Sequence, residues 1–164
     1  MIDFNDPGAR WRVINDSVMG GVSQGSAETT PQGTLLFRGH VSLENSGGFS
    51  SCRLSFDPVD MTDFEGIALR VRGDGKRYGL SIRTHDQFDG INHRMRFRTQ
   101  LGEWTEIRLP FSEFRPEFRG RALPHVPALD TGVIQSIGFI ISEGQEGPFL
   151  LEVDRIEVYR RAGD

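Results

Sequence analysis

Few residues in this chain combine the types and spacing that catalytic chemistry demands. Gly21-Val22-Ser23-Gln24-Gly25 matches the G-x-S-x-G pattern of a nucleophile elbow, where a strained strand-to-helix turn exposes a serine. The following Ser26-Ala27-Glu28-Thr29-Thr30-Pro31 has no helical pattern, so the serine lacks its required context. A glycine-permitted turn between strands is the better reading. His40, His85, His93 and His125 show no zinc-site spacing. Asp86 and Asp89, in the polar stretch between His85 and His93, do not match a calcium-loop spacing and read as a solvated hairpin tip. Glu143 and Glu146 read as an exposed acidic loop rather than an acid–base pair. The sequence therefore points away from an enzyme, with no catalytic residue, cofactor or metal-ligand set assigned.

Positive charge carries more information. The basic residues are 18 Arg against one Lys, Lys76, in a chain of net charge −4. That net charge argues against a general nucleic-acid binder. Guanidinium forks grip carboxylates and carbonyls in a way that lysine cannot. Arg70 and Arg72, and Arg94, Arg96 and Arg98, alternate with apolar residues. If their strands are neighbours, they form one basic face suited to an acidic ligand or protein surface. The competing reading is a solvated sheet face neutralised by Glu103, Glu106 and nearby aspartates.

The elements that would position these residues are strands. Ile67, Leu69 and Val71 share one face; Tyr78, Leu80 and Ile82 share another; Met95 and Phe97 a third, each set with polar or basic residues opposite. Such period-2 alternation predicts strands with one buried face. Gly73-Asp74-Gly75-Lys76, between the first two runs, predicts a hairpin turn. Further strands are expected over Leu35–Glu44, Phe49–Phe56, Trp104–Leu109, Ile137–Ser142 and Phe149–Tyr159. Ile137-Gly138-Phe139-Ile140-Ile141 is apolar on both faces and reads as a central strand. The last run changes parity, with Phe149, Leu151 and Val153 odd but Ile156 and Val158 even, which predicts a bulge near Asp154-Arg155. Helix is expected only as single turns, at Phe111–Phe114 after Pro110 and at Thr131–Ser136. About eight or nine short strands at this spacing imply a single all-β domain over residues 1–164, a two-sheet sandwich or jelly roll.

The lone cysteine, Cys52, allows no disulfide within the chain and suits a reducing compartment. The acidic N-terminal Met1–Pro7 resembles neither a signal peptide nor a transit peptide, and no apolar run approaches the roughly 20 residues of a membrane span. A cytoplasmic location is the expectation.

Three segments are more particular than generic strands and turns. Trp11–Gly25, with Asp16-Ser17-Val18-Met19-Gly20-Gly21-Val22-Ser23 inside it, is one, and Phe37–Arg53, with Ser46-Gly47-Gly48-Phe49-Ser50-Ser51-Cys52-Arg53 at its end, is another. The third is Arg72-Gly73-Asp74-Gly75 with Tyr78, Trp104 and Leu109-Pro110-Phe111. Together with Phe118-Arg119-Gly120-Arg121 and Gly147-Pro148-Phe149-Leu150-Leu151-Glu152, they resemble the complex I intermediate-associated protein 30 family from Phe4 to Tyr159. The resemblance implies a galactose-binding-domain-like jelly roll. It also implies a non-enzymatic, chaperone-like assembly factor that binds protein partners, respiratory-complex subunits among them. The N-terminus departs from the mitochondrial members and suggests a stand-alone bacterial one.

Candidate binding residues follow from these segments. Met19, Gly20, Gly21, Gly47 and Gly48 mark positive φ or close backbone approach, and Asp16 and Asn45 are short polar groups able to bond local backbone N–H. Arg53 is expected to be partly buried and paired with Asp16 or Glu44. Two readings stay open: the Gly-Gly loops stitch the sheet together, or, with Ser23, Phe49 and Arg119, they converge on a rim that binds. The basic face of Arg72, Arg94 and Arg96 joins the second reading. A carbohydrate-binding module of the same fold is the alternative function, with Trp11, Tyr78, Phe88 and Trp104 as stacking platforms. Jelly rolls of this kind often hold calcium, for which Asp154 with Asp3 or Asp6 could supply oxygens.

Overall fold

The computed structural model describes residues 10–16, 20–87 and 90–160. Alternation becomes twelve strands among these residues: β1 (Trp11–Asn15), β2 (Gln24–Thr29), β3 (Leu35–Val41), β4 (Ser50–Val59), β5 (Gly66–Arg72), β6 (Arg77–Arg83), β7 (Asn92–Arg98), β8 (Trp104–Pro110), β9 (Arg115–Phe118), β10 (Arg121–Ala122), β11 (Ile134–Ile141) and β12 (Gly147–Tyr159). They form a seven-stranded sheet in the order β1-β4-β11-β6-β7-β9-β10 and a five-stranded sheet in the order β2-β3-β12-β5-β8. Every pairing between these strands is antiparallel. The result is the expected all-β jelly roll, with more strands than the sequence suggested.

Each strand sends alternate side chains into the space between the sheets. Tyr78, Leu80 and Ile82 from β6 and Ile137, Phe139 and Ile141 from β11 lie in one buried cluster with Ile67, Leu69 and Val71 from β5 and Phe149, Leu151 and Val153 from β12. Each such side chain contributes roughly 1.5–3 kcal/mol by leaving water. The apolar run at 137–141 is interior as expected, because β11 is flanked by β4 and β6. The parity change in β12 is also present: its register against β5 shifts between Val153 and Arg155, which keeps Ile156 buried at 2% exposure.

Four local expectations need correction. Gly73–Lys76 does not close a hairpin. β5 pairs with β12 and β8 while β6 pairs with β11 and β7, so the turn crosses from one sheet to the other. Contacts from elsewhere in the chain hold it there. Gly75 N–H donates to Thr99 Oγ1, and Asp74 accepts from Tyr78 OH at 3.0 Å and from Leu150 N–H at 3.0 Å. The same crossover divides the arginine stripe: Arg70 and Arg72 lie on the five-stranded sheet, Arg94, Arg96 and Arg98 on the other. Finally, Thr131–Ser136 is not a helical turn, since β11 already begins at Ile134, whereas Phe111–Glu113 does form the expected single 3-10 turn. The expected strand Leu35–Glu44 stops at Val41 because Glu44–Ser46 winds into another 3-10 turn, with Asn45 left-handed at φ 55°.

Candidate functional site

The glycine-rich signature is explained by one carboxylate. Asp16 follows β1 directly and has no solvent exposure. Its Oδ1 accepts from Ser23 N–H at 2.9 Å; its Oδ2 accepts from Ser23 Oγ at 2.5 Å, Gly48 N–H at 2.6 Å and Phe49 N–H at 3.3 Å. Its main chain joins in, donating to Phe49 O and accepting from Gly21 N–H. Ser23 Oγ in turn accepts from Ser42 N–H at 2.9 Å. One buried carboxylate thus ties the end of β1 to the starts of β2 and β4 and, through Ser23, to the end of β3. Burial alone would raise its pKa, but the Ser23 hydroxyl and the Gly48, Ser23 and Phe49 amides hold it below the usual carboxylate value.

The glycines serve this knot. A Cβ at Gly21 or at Gly47 would overlap the Asp16 carboxyl group, and Gly20 and Gly48 adopt φ of 88° and 133°. Met19 lies outside the described residues. The knot disposes of the nucleophile reading, because the Ser23 hydroxyl is engaged by Asp16 and Ser42, with no histidine among its partners. It also corrects the expected Asp16–Arg53 pair, since the contacts made by the Asp16 oxygens are those of Ser23, Gly48 and Phe49. Asp16, Gly21 and Ser23 are buried stitching and present no open surface.

The open site lies one pleat away. On the outer face of the seven-stranded sheet, a cleft of about 590 Å³ is lined from β1, β4, β11, β6 and β7 and from the β9–β10 turn. Strand register builds its floor in rows. One row runs Ile14, Ser51, Ile140, Gly79, Arg96; the next runs Arg12, Arg53, Gly138, Ser81, Arg94. Gly138, which lines the cleft, brings bare backbone to its middle. Among the described residues, Arg53, Arg83, Arg94, Arg96 and Arg119 line the cleft with one acid, Glu143.

The arginines are held in place. Arg94, only 8% exposed, donates from Nε to Ser81 Oγ at 3.0 Å and lies 3.8 Å from Glu117. Burial lowers its pKa and the Glu117 charge opposes that. Arg96 donates through both Nη atoms to Glu117 and through Nε to Glu143, which also accepts from Arg77. The Glu117 hydrogen bond raises the Arg96 pKa further. Burial disfavours the Glu143 charge, but Arg77 and Arg96 outweigh it and lower its pKa. Arg119 and Glu143 both have left-handed backbones, φ 50° and 64°, unusual for non-glycine residues. They face the cleft from the β9–β10 turn and from the loop after β11, and local strain of this kind concentrates at functional sites. Nearby, Asn92 is 2% exposed; its Nδ2 donates to Glu117 O at 3.4 Å, but its Oδ1 has no hydrogen-bond partner among the described residues. An orphaned buried acceptor costs about 1–3 kcal/mol.

Of the residues singled out from sequence, Phe49, Arg53, Arg94, Arg96 and Arg119 meet in this cleft, whereas Arg72 does not. It sits on the opposite sheet, bonded to Glu152 and stacked on Trp104. Asn45, Gly47 and Gly48 shape the loop before β4 that delivers Phe49. Sequence reasoning missed Arg83, Asn92, Ser51, Ser136, Gly138 and Glu143 as lining groups. Alternation marked several as outward-facing, but only the strand order brings them together. The aromatic platforms fare poorly: Tyr78 is 1% exposed, Trp11 packs on Phe139, and Trp104 is covered by Arg70 and Arg72. Phe88 lies outside the described residues. Asp154 pairs with Arg70, and Asp3 and Asp6 lie outside the described residues, so the calcium expectation gains no support. Cys52 is buried between the sheets and its thiol is pushed up to about 12, which suppresses the reactive thiolate.

The two-sheet jelly roll is a fold shared with carbohydrate-binding modules. The family 11 module of a Clostridium thermocellum cellulosomal cellulase superposes with TM-score 0.73 at 18% identity, covering 98% of this chain and 94% of that one. An agarase matches all of this chain with 25% of its own length, TM-score 0.65 and 14% identity. These likenesses establish the jelly-roll fold. Family membership comes from the sequence: the chain belongs to the Complex I intermediate-associated protein 30 (CIA30) family, whose model matches residues 2–153. The mitochondrial Drosophila melanogaster protein of that name is 27% identical over 95% of this chain, and its Mus musculus counterpart 36% identical over 61%. The chain spans 61% of the fly protein's length and 32% of the mouse protein's.

Proposed function

We propose that this protein is a non-catalytic binding module that holds a protein partner in its outer cleft during assembly of a membrane-bound respiratory complex. Family membership supports the assembly role, since the relatives carry names tying them to a complex I intermediate. The observation that carries the binding role is the cleft of about 590 Å³, lined by arginines that Glu117, Glu143 and Ser81 fix in place. Rigid, pre-oriented donors lose little entropy when a partner arrives. Affinity purification of the tagged chain from its native host, followed by mass spectrometry, tests this reading. Recovery of subunits of the NADH:ubiquinone oxidoreductase is expected; repeated recovery of none would sink the assembly role.

A second reading draws on one observation. A Clostridium thermocellum module of the same fold, TM-score 0.71, was solved in complex with a β-1,3-1,4-mixed-linked tetrasaccharide. Sugar binding by this chain would have to use the polar floor, because Tyr78 and Trp104 are covered. Calorimetric titration with that tetrasaccharide decides it, with a flat titration counting against the reading.

A further inference from the structure

We propose that the free edge of β8 pairs with the same strand of a second copy of this chain, making a symmetric dimer through one continuous sheet. This surface lies apart from the outer cleft, on the other sheet. β8 ends the five-stranded order and holds seven residues, Trp104–Pro110, in unbroken register against β5. The phase of its hydrogen bonds follows from one bond just past its end, where Phe111 N–H donates to Glu65 O at 2.9 Å. Antiparallel partners alternate between pairs that exchange hydrogen bonds and pairs that do not. Leu109, Ile107 and Thr105 therefore turn their main chains towards β5, while Trp104, Glu106, Arg108 and Pro110 turn theirs outward. Pro110 fits that phase, because an edge strand tolerates proline where its missing N–H would face the open side. Among the described residues, no other part of the chain bonds these outward groups. Burial marks the same edge as unfinished. Ile107 points between the sheets beside Leu69, yet Leu69 is 2% exposed and Ile107 is only partly buried.

Charge selects the occupant. Charged side chains on an edge strand ordinarily keep a second copy away. Here they attract one, because Glu106 and Arg108 are exposed, opposite in sign and two residues apart. In an antiparallel pair centred on Ile107, Glu106 of each copy faces Arg108 of the other, twice over by symmetry. Both residues turn their main chains outward, so each such pair exchanges both of its backbone hydrogen bonds. The two Ile107 side chains meet in the more closely spaced pair between them. Centring the pair on Glu106 or on Arg108 would set like charges opposite, which destabilises it. Neither side chain is held firmly elsewhere. Glu106 is 75% exposed and 3.8 Å from Arg155, and Arg108 lies over the Tyr159 ring with no ion pair among the described residues. The other edges fit less well: β10 has two residues, and β1 and β2 lie against one another.

Sedimentation equilibrium of the whole chain from about 1 μM to about 1 mM tests the proposal, since pairing along one edge makes a small interface. The mass should rise to twice that of the chain. Amide hydrogen exchange should show the Glu106 and Arg108 N–H groups protected only where the dimer forms. Glu106→Arg sets arginine against arginine, and Arg108→Glu sets glutamate against glutamate. Each should weaken self-association by roughly tenfold or more. Mixing the two variants, or combining both changes in one chain, puts opposite charges back across the pair and should restore the dimer. Both positions are exposed, and circular dichroism checks that each variant folds. A chain that stays monomeric over the whole range overturns the proposal and leaves the edge to a strand of another protein. A dimer that both single variants leave intact overturns it too, as does a loss that neither the mixture nor the double change reverses.

Discussion

Asp16 combines full burial with four hydrogen bonds to its carboxylate, a combination that pays only while the group is ionised. Neutralising it in Asp16→Asn replaces one acceptor oxygen by a donor facing other donors. We expect a loss of about 3 kcal/mol at pH 7, read by urea denaturation, from leaving buried N–H groups unmatched. The pH dependence follows from the lowered pKa. The folded-state value lies below the unfolded one, so the stabilisation is complete above the ordinary carboxylate range and is lost as pH falls through the folded pKa. The gap between wild type and Asp16→Asn should therefore narrow on going from pH 7 towards pH 3. A constant gap, or one under 0.5 kcal/mol at pH 7, roughly the scatter of neutral surface changes, would mean the knot is not held by charge. Gly47 belongs to the same account: its φ of −74° is ordinary, so the need for glycine there is space beside Asp16 rather than backbone freedom.

At the scale of elements, β12 shows how one residue sets the fate of a strand. The shift between Val153 and Arg155 lets Phe149, Leu151, Val153 and Ile156 all reach the core, with Asp154 left to pair with Arg70. Deleting Asp154 would restore strict alternation through Val153, Arg155 and Ile156, leaving Ile156 inward and Arg155 outward and removing the partner of Arg70. The deletion variant should therefore keep a cooperative thermal transition; loss of that transition would show that the extra residue at the bulge is itself required. The same logic made β5, β6 and β7 individually readable, since Ile67-Leu69-Val71 and Tyr78-Leu80-Ile82 follow period 2 without interruption. The connection between β5 and β6 was not readable. A Gly-Asp-Gly turn is compatible with a hairpin or with a crossover, and the choice rests on Thr99 and Leu150, which are distant in sequence.

For the whole molecule, topology dominates. β1 pairs with β4, β3 with β12 and β4 with β11, so sheet formation must close long loops before contacts repay the entropy. Folding in milliseconds to seconds is expected from stopped-flow fluorescence of Trp11 and Trp104; microsecond folding would contradict a core built from non-local pairings. This topology also marks the boundary between what sequence and tertiary structure each decide. Sequence alone determined the all-β class, the inward face of most strands, the β12 bulge and the importance of Asp16 and its glycines, because alternation and glycine tolerance act within a few residues. Part of the cleft was legible in the same way, in Phe49, Arg53, Arg94, Arg96 and Arg119. Only the tertiary structure decided that Arg72 stands apart from Arg94, that Arg83, Asn92 and Gly138 join Arg53, and that the signature is stitching while the open site lies beside it. The physical reason is strand order: a strand's own residues select the face each side chain takes, but which strands lie side by side depends on packing across the entire chain.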